Sequence, residues 1–233
     1  MLKVDLHLHS SEDPVDVIDH SVHQLIDRAA ELGFDALALT LHDYDLRDPS
    51  LGAYARERGI VLVPGVERTI DGRHVLLLNF PDRTDHVRTF EDLAELRGTG
   101  NGLVIAAHPY FPDGSCLQAR LDRHVDLFDA VEWSYFWTRG ANFNAKAARF
   151  AATHGKPLVA SSDLHDLRQL GRTYTLVFAD RDANSICAAI REGRVSIQTS
   201  PVPKLELVRV LGGMFRRGRK APLAVDTAKW ATT

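Results

Sequence analysis

The sequence Asp5-Leu6-His7-Leu8-His9 lies within a short apolar run that begins at Leu2. Successive side chains of a strand point to opposite faces, so the aspartate and the two histidines would share one face. The leucines would occupy the other face. Each unsatisfied polar group on a buried strand costs about 1–3 kcal/mol. The pattern therefore predicts a buried strand whose polar face binds a cation.

The rest of the chain alternates short runs of Val, Leu and Ile with longer segments of helical period. This alternation is typical of repeated strand–helix units and a mostly parallel sheet. Unbroken apolar strands are expected where helices cover the outside of a parallel barrel and side chains fill its interior. We predict one main domain over residues 1–211.

Residues 212–233 are predicted to form a basic, loosely held tail. The cluster Arg216-Arg-Gly-Arg-Lys220 in this tail could contact nucleic acid or phosphate, but a solvated chain end is the commoner role for such a cluster.

Composition narrows the class of protein further. Apolar residues make up 45% of the chain and charged residues 25%, which excludes a disordered or collagen-like chain. The 28 basic and 31 acidic residues leave a net charge of −3, so we expect no broad surface for nucleic acid or an anionic membrane. Two distant cysteines exclude a disulfide framework. With no apolar leader or membrane span visible, the protein is expected to be cytoplasmic and to have no membrane partner.

Five of the eleven histidines lie at or just past the carboxyl ends of predicted strands. These five are His7, His9, His42, His108 and His165. In a parallel barrel the carboxyl ends of all strands meet at one rim, where active sites are built. We therefore expect these histidines to converge.

Two carboxylates join the histidines at the same predicted rim. Glu67 follows a strand and a glycine turn, and Asp163 precedes His165 by two residues. Imidazole and carboxylate without thiolate suit Zn²⁺, Mn²⁺ or Fe²⁺. A site for one ion needs three or four protein ligands, and seven or more candidates are present here. The sequence therefore predicts two or three divalent ions, with a carboxylate as a bridge.

These residues resemble the motifs of the PHP family, named for polymerase and histidinol phosphatase. The similarity spans roughly residues 2–178. The matching motifs are Asp5-Leu-His-Leu-His-Ser10, Thr40-Leu-His42, Gly65-Val-Glu67, Ala107-His-Pro109, and Ser162-Asp-Leu-His165 with Leu170-Gly-Arg172.

The resemblance implies an α/β fold, a distorted seven-stranded (β/α)7 barrel like a TIM barrel, with a trinuclear centre of Mn, Fe or Zn at its rim. The implied metal ligands are His7, His9, Asp13, His42, Glu67, His74, His108, Asp163 and His165. In this assignment Glu67 bridges two ions. The chain departs from the family pattern where Leu41 replaces an acidic residue and where Asp13 arrives one residue early; Glu12 or Asp16 could take its place.

The residues and the resemblance together favour a phosphoesterase. A metal lowers the pKa of bound water from 15.7 toward about 7, which supplies a hydroxide without a side-chain base. We expect a small phosphomonoester or nucleotide-like substrate, with nucleic acid only as a short oligonucleotide. Arg172, Arg139 and Lys146 are the candidate phosphate-binding residues.

Two other functions stay open at this stage. A metal centre of this kind also attacks carbonyl carbon, so a PHP-type carbamate or ester hydrolase is one alternative. A metal-stabilised module that binds without catalysis is the other. The aromatic segment Trp133 to Trp137 could stack a base, although core packing is its commoner role, and Glu132 could support the ligands.

Overall fold

The computed structural model describes residues 1–98 and 102–220. The strands are β1 (Leu2–Leu8), β2 (Ala36–Leu39), β3 (Val61–Val63), β4 (Gly65–Ile70), β5 (Arg73–Leu78), β6 (Leu103–Ala106), β7 (Ala130–Ser134), β8 (Leu158–Ser161), β9 (Tyr174–Val177) and β10 (Val195–Gln198). The α-helices are α1 (Val22–Glu31), α2 (Pro49–Glu57), α3 (Phe90–Arg97), α4 (Ala119–Arg123), α5 (Asn144–Thr153), α6 (Ala183–Arg191) and α7 (Lys204–Arg217).

The strands form two mixed sheets of five strands each. The order is β10-β9-β1-β2-β3 in the first sheet and β4-β5-β6-β7-β8 in the second. The strands β1, β2 and β3 are parallel, as are β6, β7 and β8. By contrast, β9 is antiparallel to both of its neighbours, and so is β5.

The predicted seven-stranded (β/α)7 barrel is therefore wrong, because the described residues form two separate sheets and no closed barrel. One physical reason is a hairpin that links β4 to β5. Asp71 and Gly72 both have positive φ, at 46° and 72°, as the tight turn of a two-residue hairpin requires. Such a hairpin replaces the helical crossover that a parallel barrel needs at this point. Among the described residues, the backbone pairings between the two sheet regions are isolated bridges, such as Leu8–Leu164 and His42–Glu67.

Apolar side chains fill the space between the sheets and their helices. The face of α1 that carries Leu25 and Ile26 packs with Leu8 of β1 and Leu37 of β2 in one buried cluster. Ser21 caps α1 through a reciprocal pair of hydrogen bonds with Gln24, which fixes where this helix begins. The strands that lead into the candidate site are thus held in a rigid core.

The predicted domain boundary at residue 211 falls inside α7, which continues to Arg217. Residues 221–233 of the predicted tail lie outside the described residues, and the division into domain and tail stays a prediction. In the described part of the chain, no helix combines the length and the apolar character needed to cross a bilayer.

Candidate metal centre

One buried carboxylate, Glu67 of β4, lies at the centre of the candidate site. Its Oε2 atom is 3.3 Å from Nε2 of His7, 3.3 Å from Nε2 of His9 and 3.2 Å from Nε2 of His42. His7 lies on β1 and His9 follows directly after its last residue, Leu8, and both rings point to Glu67, as the predicted alternation requires. Three imidazoles from the first sheet and the segment after it thus meet one oxygen from the second sheet.

The other oxygen of Glu67 meets two further imidazoles. Its Oε1 atom is 2.7 Å from Nδ1 of His74 and 3.1 Å from Nε2 of His108. His74 is near the beginning of β5 rather than its end, yet it reaches the site because β5 runs antiparallel to β6. Val75 pairs with Ala106, so the start of β5 lies beside the end of β6, just before His108.

Asp163 and His165 approach the cluster from the segment after β8. The Oδ1 atom of Asp163 is 3.6 Å from Nε2 of His7 and 3.8 Å from Nε2 of His9. Asp163 has a φ of +47° and His108 a φ of +25°, conformations that L-residues rarely adopt. Backbone strain of this kind is concentrated at functional sites, where surrounding structure holds it in place.

The carboxylate of Asp13 lies behind two of the imidazoles. Its Oδ2 atom accepts hydrogen bonds from Nδ1 of His9 and Nδ1 of His42, both at 2.9 Å, and from the backbone amide of His42. Its Oδ1 atom accepts from the amides of Val15 and Asp16. These bonds fix the tautomer of both rings and leave each Nε2 facing Glu67.

Asp16 lies on the cavity side of the same segment. Its Oδ2 atom is 3.1 Å from Nε2 of His165. The ligand role expected for Asp13 stays a prediction, but the geometry gives Asp16, the named alternative, the more direct access to the cavity.

Glu132 of β7 supports the imidazoles on the opposite side. Its Oε1 atom accepts from Nδ1 of His7 at 2.9 Å and from the Ser161 hydroxyl. Its Oε2 atom accepts a hydrogen bond from the backbone amide of His108. Glu132 is completely buried, so it orients two candidate ligands without facing the cavity.

The donor atoms fit a divalent cation. The Nε2 atoms of His7 and His9 are buried and have no hydrogen-bond partner among the described residues. In the part of the chain that the structure describes, the groups of three whose ligand atoms lie within 4.8 Å of one another are His7–His9–Glu67, His42–Glu67–His74, His9–His42–His165 and His7–His108–Glu132. Buried, unpartnered imidazole nitrogens that face carboxylates are what a nitrogen–oxygen site for Zn²⁺, Mn²⁺ or Fe²⁺ requires.

Electrostatics show how strongly these groups interact. Burial alone would raise the pKa of Glu67, but the imidazoles of His74, His7 and His42 hold it well below its ordinary value. Burial opposes charge on His42, yet Glu67 and Asp13 raise its pKa to about 9. The Asp5 carboxylate accepts hydrogen bonds from the backbone amides of His7 and Ser162, and burial raises the pKa of Asp5 to about 7. The cluster is thus built to stabilise positive charge next to Glu67.

Comparisons with known proteins agree with these motifs. A family described as PHP-associated matches residues 141–195. A two-domain protein from Bacteroides vulgatus, described as containing a predicted PHP-like metal-dependent phosphoesterase, is 21% identical with a TM-score of 0.66 over 91% of this chain and 69% of its own. The resemblance to the PHP family is confirmed.

Other neighbours in fold have different descriptions. The lesion-specific endonuclease Q from Pyrococcus furiosus is 18% identical with a TM-score of 0.57, over 84% of this chain and 57% of its own. An amidohydrolase from Chromobacterium violaceum with bound sulfate and no metal is 17% identical with a TM-score of 0.54, over 96% of this chain and 99% of its own. No curated protein matches the sequence significantly.

A cavity of about 210 Å³ opens over the candidate centre. Its walls combine candidate ligands with apolar and polar side chains. They include His42, Glu67, His74, His108, Asp163, His165, Asp16, Phe111, Phe136, Met214, Asp113, Ser115 and Arg219. Of the aromatic segment singled out in the sequence, Phe136 lines this cavity, whereas Tyr135 is buried and Trp137 hydrogen-bonds to Thr199.

The structure does not bring the three predicted phosphate-binding residues to this cavity. Arg172 instead pairs with Glu206, with Nη2 to Oε2 at 2.8 Å, and lines a separate surface cavity. Arg139 is exposed, and Lys146 is exposed with its Nζ 4.1 Å from the Tyr110 ring centre. Their binding of substrate stays a prediction.

One cavity-lining cation was not singled out as a site residue from the sequence. Arg219 lies in the basic cluster that was interpreted as a solvated end. The cluster itself was the available signal, but its return to the site depends on the fold of α7 and cannot be read from spacing.

Proposed function

We propose that this protein is a metal-dependent hydrolase that cleaves a small phosphomonoester or a nucleotide-like phosphoester. The observation that carries the proposal is the meeting of five imidazoles on the buried carboxylate of Glu67. The PHP-like and endonuclease descriptions of the structural neighbours support a hydrolase that uses metal and a phosphoester as its substrate.

We assign the candidate ligands to two or three ions of Mn, Fe or Zn. His7, His9, Glu67 and Asp163 would hold one ion. His74, His108 and Glu67 would hold a second. A third would take His42 and His165, together with Asp13 or Asp16.

The surrounding side chains position these ligands and shield the site. Bound divalent ions supply a nucleophilic water at neutral pH and offset the negative charge of phosphoester oxygens. Glu132 and Asp13 hold the imidazole rings so that the ligand nitrogens face the centre. Phe111 and Phe136 form an apolar part of the wall, which limits competing water at the reacting group.

Cleavage of a carboxyl ester or carbamate is the second candidate. It is favoured by the amidohydrolase description of one neighbour and by the pairing of Arg172 with Glu206, which removes an expected cation from the cavity. The two candidates differ in their need for a phosphate-binding cation, because a neutral ester has no charge to neutralise.

A hydrolysis screen tests the proposal. Protein purified with Mn²⁺, Fe²⁺ or Zn²⁺ is assayed on sugar phosphates, nucleotides, nucleoside bisphosphates, short oligonucleotides, carboxyl esters and carbamates. We expect turnover of phosphomonoesters that chelation abolishes and added metal restores. Turnover of carboxyl esters or carbamates alone, or of nothing in the panel, would contradict it. An Asp163→Asn variant is the control, because its side chain keeps nearly the same volume as aspartate but loses the charge of a candidate ligand. Activity that remains in this variant at the wild-type level comes from a contaminating enzyme.

A further inference from the structure

The last residue of α7 and the residues that follow it return to the candidate centre. Residues 217–220, which we call the strap, lie against the segment that carries Asp13 and Asp16. The Val17 amide donates to the Gly218 carbonyl at 3.3 Å, and the Lys220 amide donates to the Val15 carbonyl at 2.6 Å. An antiparallel bridge pairs Asp16 with Arg219 between these two bonds. The backbone of the strap is therefore held in register beside the cavity.

Two side chains of the strap anchor it. Arg217 donates to the His165 carbonyl at 3.0 Å and pairs with Asp19 at 2.9 Å. The Nζ atom of Lys220 donates to the carbonyls of Ser11 and Asp13, at 2.9 Å and 2.6 Å. Both side chains are thus bonded to backbone carbonyls of the segments beside the candidate centre.

Arg219 lies between the two anchors and differs from both. Its side chain is 80% exposed, and its nearest charged contact is a single 3.8 Å approach of Nε to Oδ1 of Asp16. A long, exposed contact of this kind contributes little, and a guanidinium carries five N–H donors. Within the described residues, the Arg219 side chain makes no hydrogen bond to the protein that a ligand would have to displace.

The position of Arg219 relates it directly to the candidate centre. It lines the same cavity as Glu67, Asp163 and His165, and it is the one Arg or Lys that does so in the described part of the chain. Asp16 lies between Arg219 and the candidate centre, because its Oδ1 atom faces Arg219 and its Oδ2 atom is 3.1 Å from Nε2 of His165. Arg219 also borders a neighbouring cavity of about 340 Å³ that shares Asp16 and Met214 with the first.

We propose that Arg219 binds the anionic phosphate of the substrate and selects phosphoesters over neutral esters. This inference deepens the proposed function and rests on it. The strap fixes the backbone of Arg219, and its exposed guanidinium offers paired N–H donors to the oxygens of the phosphate. It supplies the phosphate-binding cation that Arg172 was predicted to supply.

Binding of inorganic phosphate tests the inference apart from turnover. Calorimetric titration of the Mn²⁺-loaded protein with phosphate is run on the wild type, Arg219→Ala, Arg219→Lys and Arg216→Ala. Arg216 is an exposed residue of α7, and its replacement makes the same change in net charge without altering the cavity lining. The KM and kcat for 4-nitrophenyl phosphate are measured on the same four proteins.

We expect Arg219→Ala to weaken phosphate binding and to raise KM by about 10- to 100-fold, the usual effect of losing a hydrogen bond between charged groups. Arg219→Lys should recover part of this loss, and Arg216→Ala should match the wild type. Equal phosphate affinity in Arg219→Ala and the wild type, or no phosphate binding by the wild type, would overturn the inference. Phosphoester turnover by the wild type decides the proposed function independently, since phosphate binding through Arg219 without turnover would contradict that function alone.

Discussion

Glu67 is the residue on which the candidate centre depends, because both of its oxygens are shared among imidazoles from different strands. Without a cation, its negative charge is balanced by those imidazoles, as the raised pKa of His42, about 9, indicates. A bound metal would take over that balance and displace the protons. Removing the charge of Glu67 should therefore weaken metal binding more than removing any peripheral acid.

We predict that Glu67→Gln lowers metal affinity by more than about 100-fold, beyond the 10- to 100-fold typical of groups that only orient ligands. Metal content is measured by elemental analysis after gel filtration, and affinity by competition with a chelating dye. Glu91→Gln, on the first turn of α3, is the control and should bind metal as the wild type does. Equal metal content in Glu67→Gln and the wild type would rule out the central role of this carboxylate.

Glu132 should matter less than Glu67, because it acts through His7 and His108. We predict that Glu132→Gln lowers metal affinity by about 10- to 100-fold, since an amide cannot accept bonds at both of its ends. Asp129→Asn is the matched control: Asp129 is also a buried acid, but it pairs with Arg97, outside the candidate centre. A comparable loss of affinity in both variants would show a general effect of buried charge instead.

For single residues, the sequence predicted that these imidazoles converge. Alternation along a strand and position at the end of a strand determine the direction of the His7, His9 and His108 side chains. The partner of Arg172 could not be predicted. Glu206 is separated from it by 34 residues along the chain, and their pairing depends on how α7 docks.

The β4–β5 hairpin is the element that most separates the observed fold from the predicted one. In the sequence, the apolar run His74 to Leu78 after the Asp71-Gly72 turn predicts β5. No strand is predicted at β4, because Glu67, Arg68 and Thr69 interrupt any apolar run there. Glu67 and Arg68 are nevertheless buried, and Arg68 is bonded to Asp43 and Asp85. A pattern of apolar residues does not show which distant residues will bond to the polar side chains of a strand. The antiparallel pairing of β4 with β5 was therefore not predicted, and a barrel was expected.

Gly65 begins β4 in a space that has no room for a side chain. A Cβ atom there would lie 2.6 Å from Leu78 Cδ2 and 3.2 Å from Thr40 Cγ2. We predict that Gly65→Ala destabilises the protein by about 1–3 kcal/mol through overpacking. Gly114→Ala, where a Cβ meets nothing within 4 Å, should change stability by much less. Urea unfolding measures both, and equal midpoints would contradict the tight packing at the start of β4.

Cys187 of α6 faces the buried core, and burial raises the pKa of its thiol to about 12 from an ordinary value of 9.0. Such a shift lowers the thiolate fraction at pH 8 by about 1000-fold. Iodoacetamide should label Cys187 in urea but scarcely in the folded protein, with residue-level rates read by mass spectrometry. Because the folded pKa is raised, the thiol should also cost stability as pH rises from 9 toward 12. Similar labelling rates in both states would contradict the packing of α6.

Across the whole molecule, the candidate centre connects the two sheets. His7 belongs to the first sheet and His9 follows directly after strand β1 of that sheet, whereas Glu67 and His74 belong to the second sheet. Few backbone bridges join these sheets among the described residues, so a shared ion would act as a cross-link. Metal should accordingly stabilise the fold as well as serve its chemistry.

We predict that chelation lowers Tm and that added metal restores it in a concentration-dependent manner. Metal at 100 times its Kd would stabilise the folded state by about 2.7 kcal/mol, provided that the unfolded chain does not bind it. Differential scanning calorimetry measures the change, and Glu67→Gln should show a much smaller response. A wild-type Tm that is independent of metal would contradict binding between the sheets.

The most direct test of the centre is crystallography of the protein with Mn²⁺, using anomalous scattering to locate the ions. We predict two or three anomalous peaks around Glu67, each about 2.0–2.3 Å from imidazole nitrogens and carboxylate oxygens of the assigned residues. Crystals that hold Mn²⁺ only at other positions, with the imidazoles still directed at an ion-free Glu67, would contradict the assignment of this cluster as a metal centre.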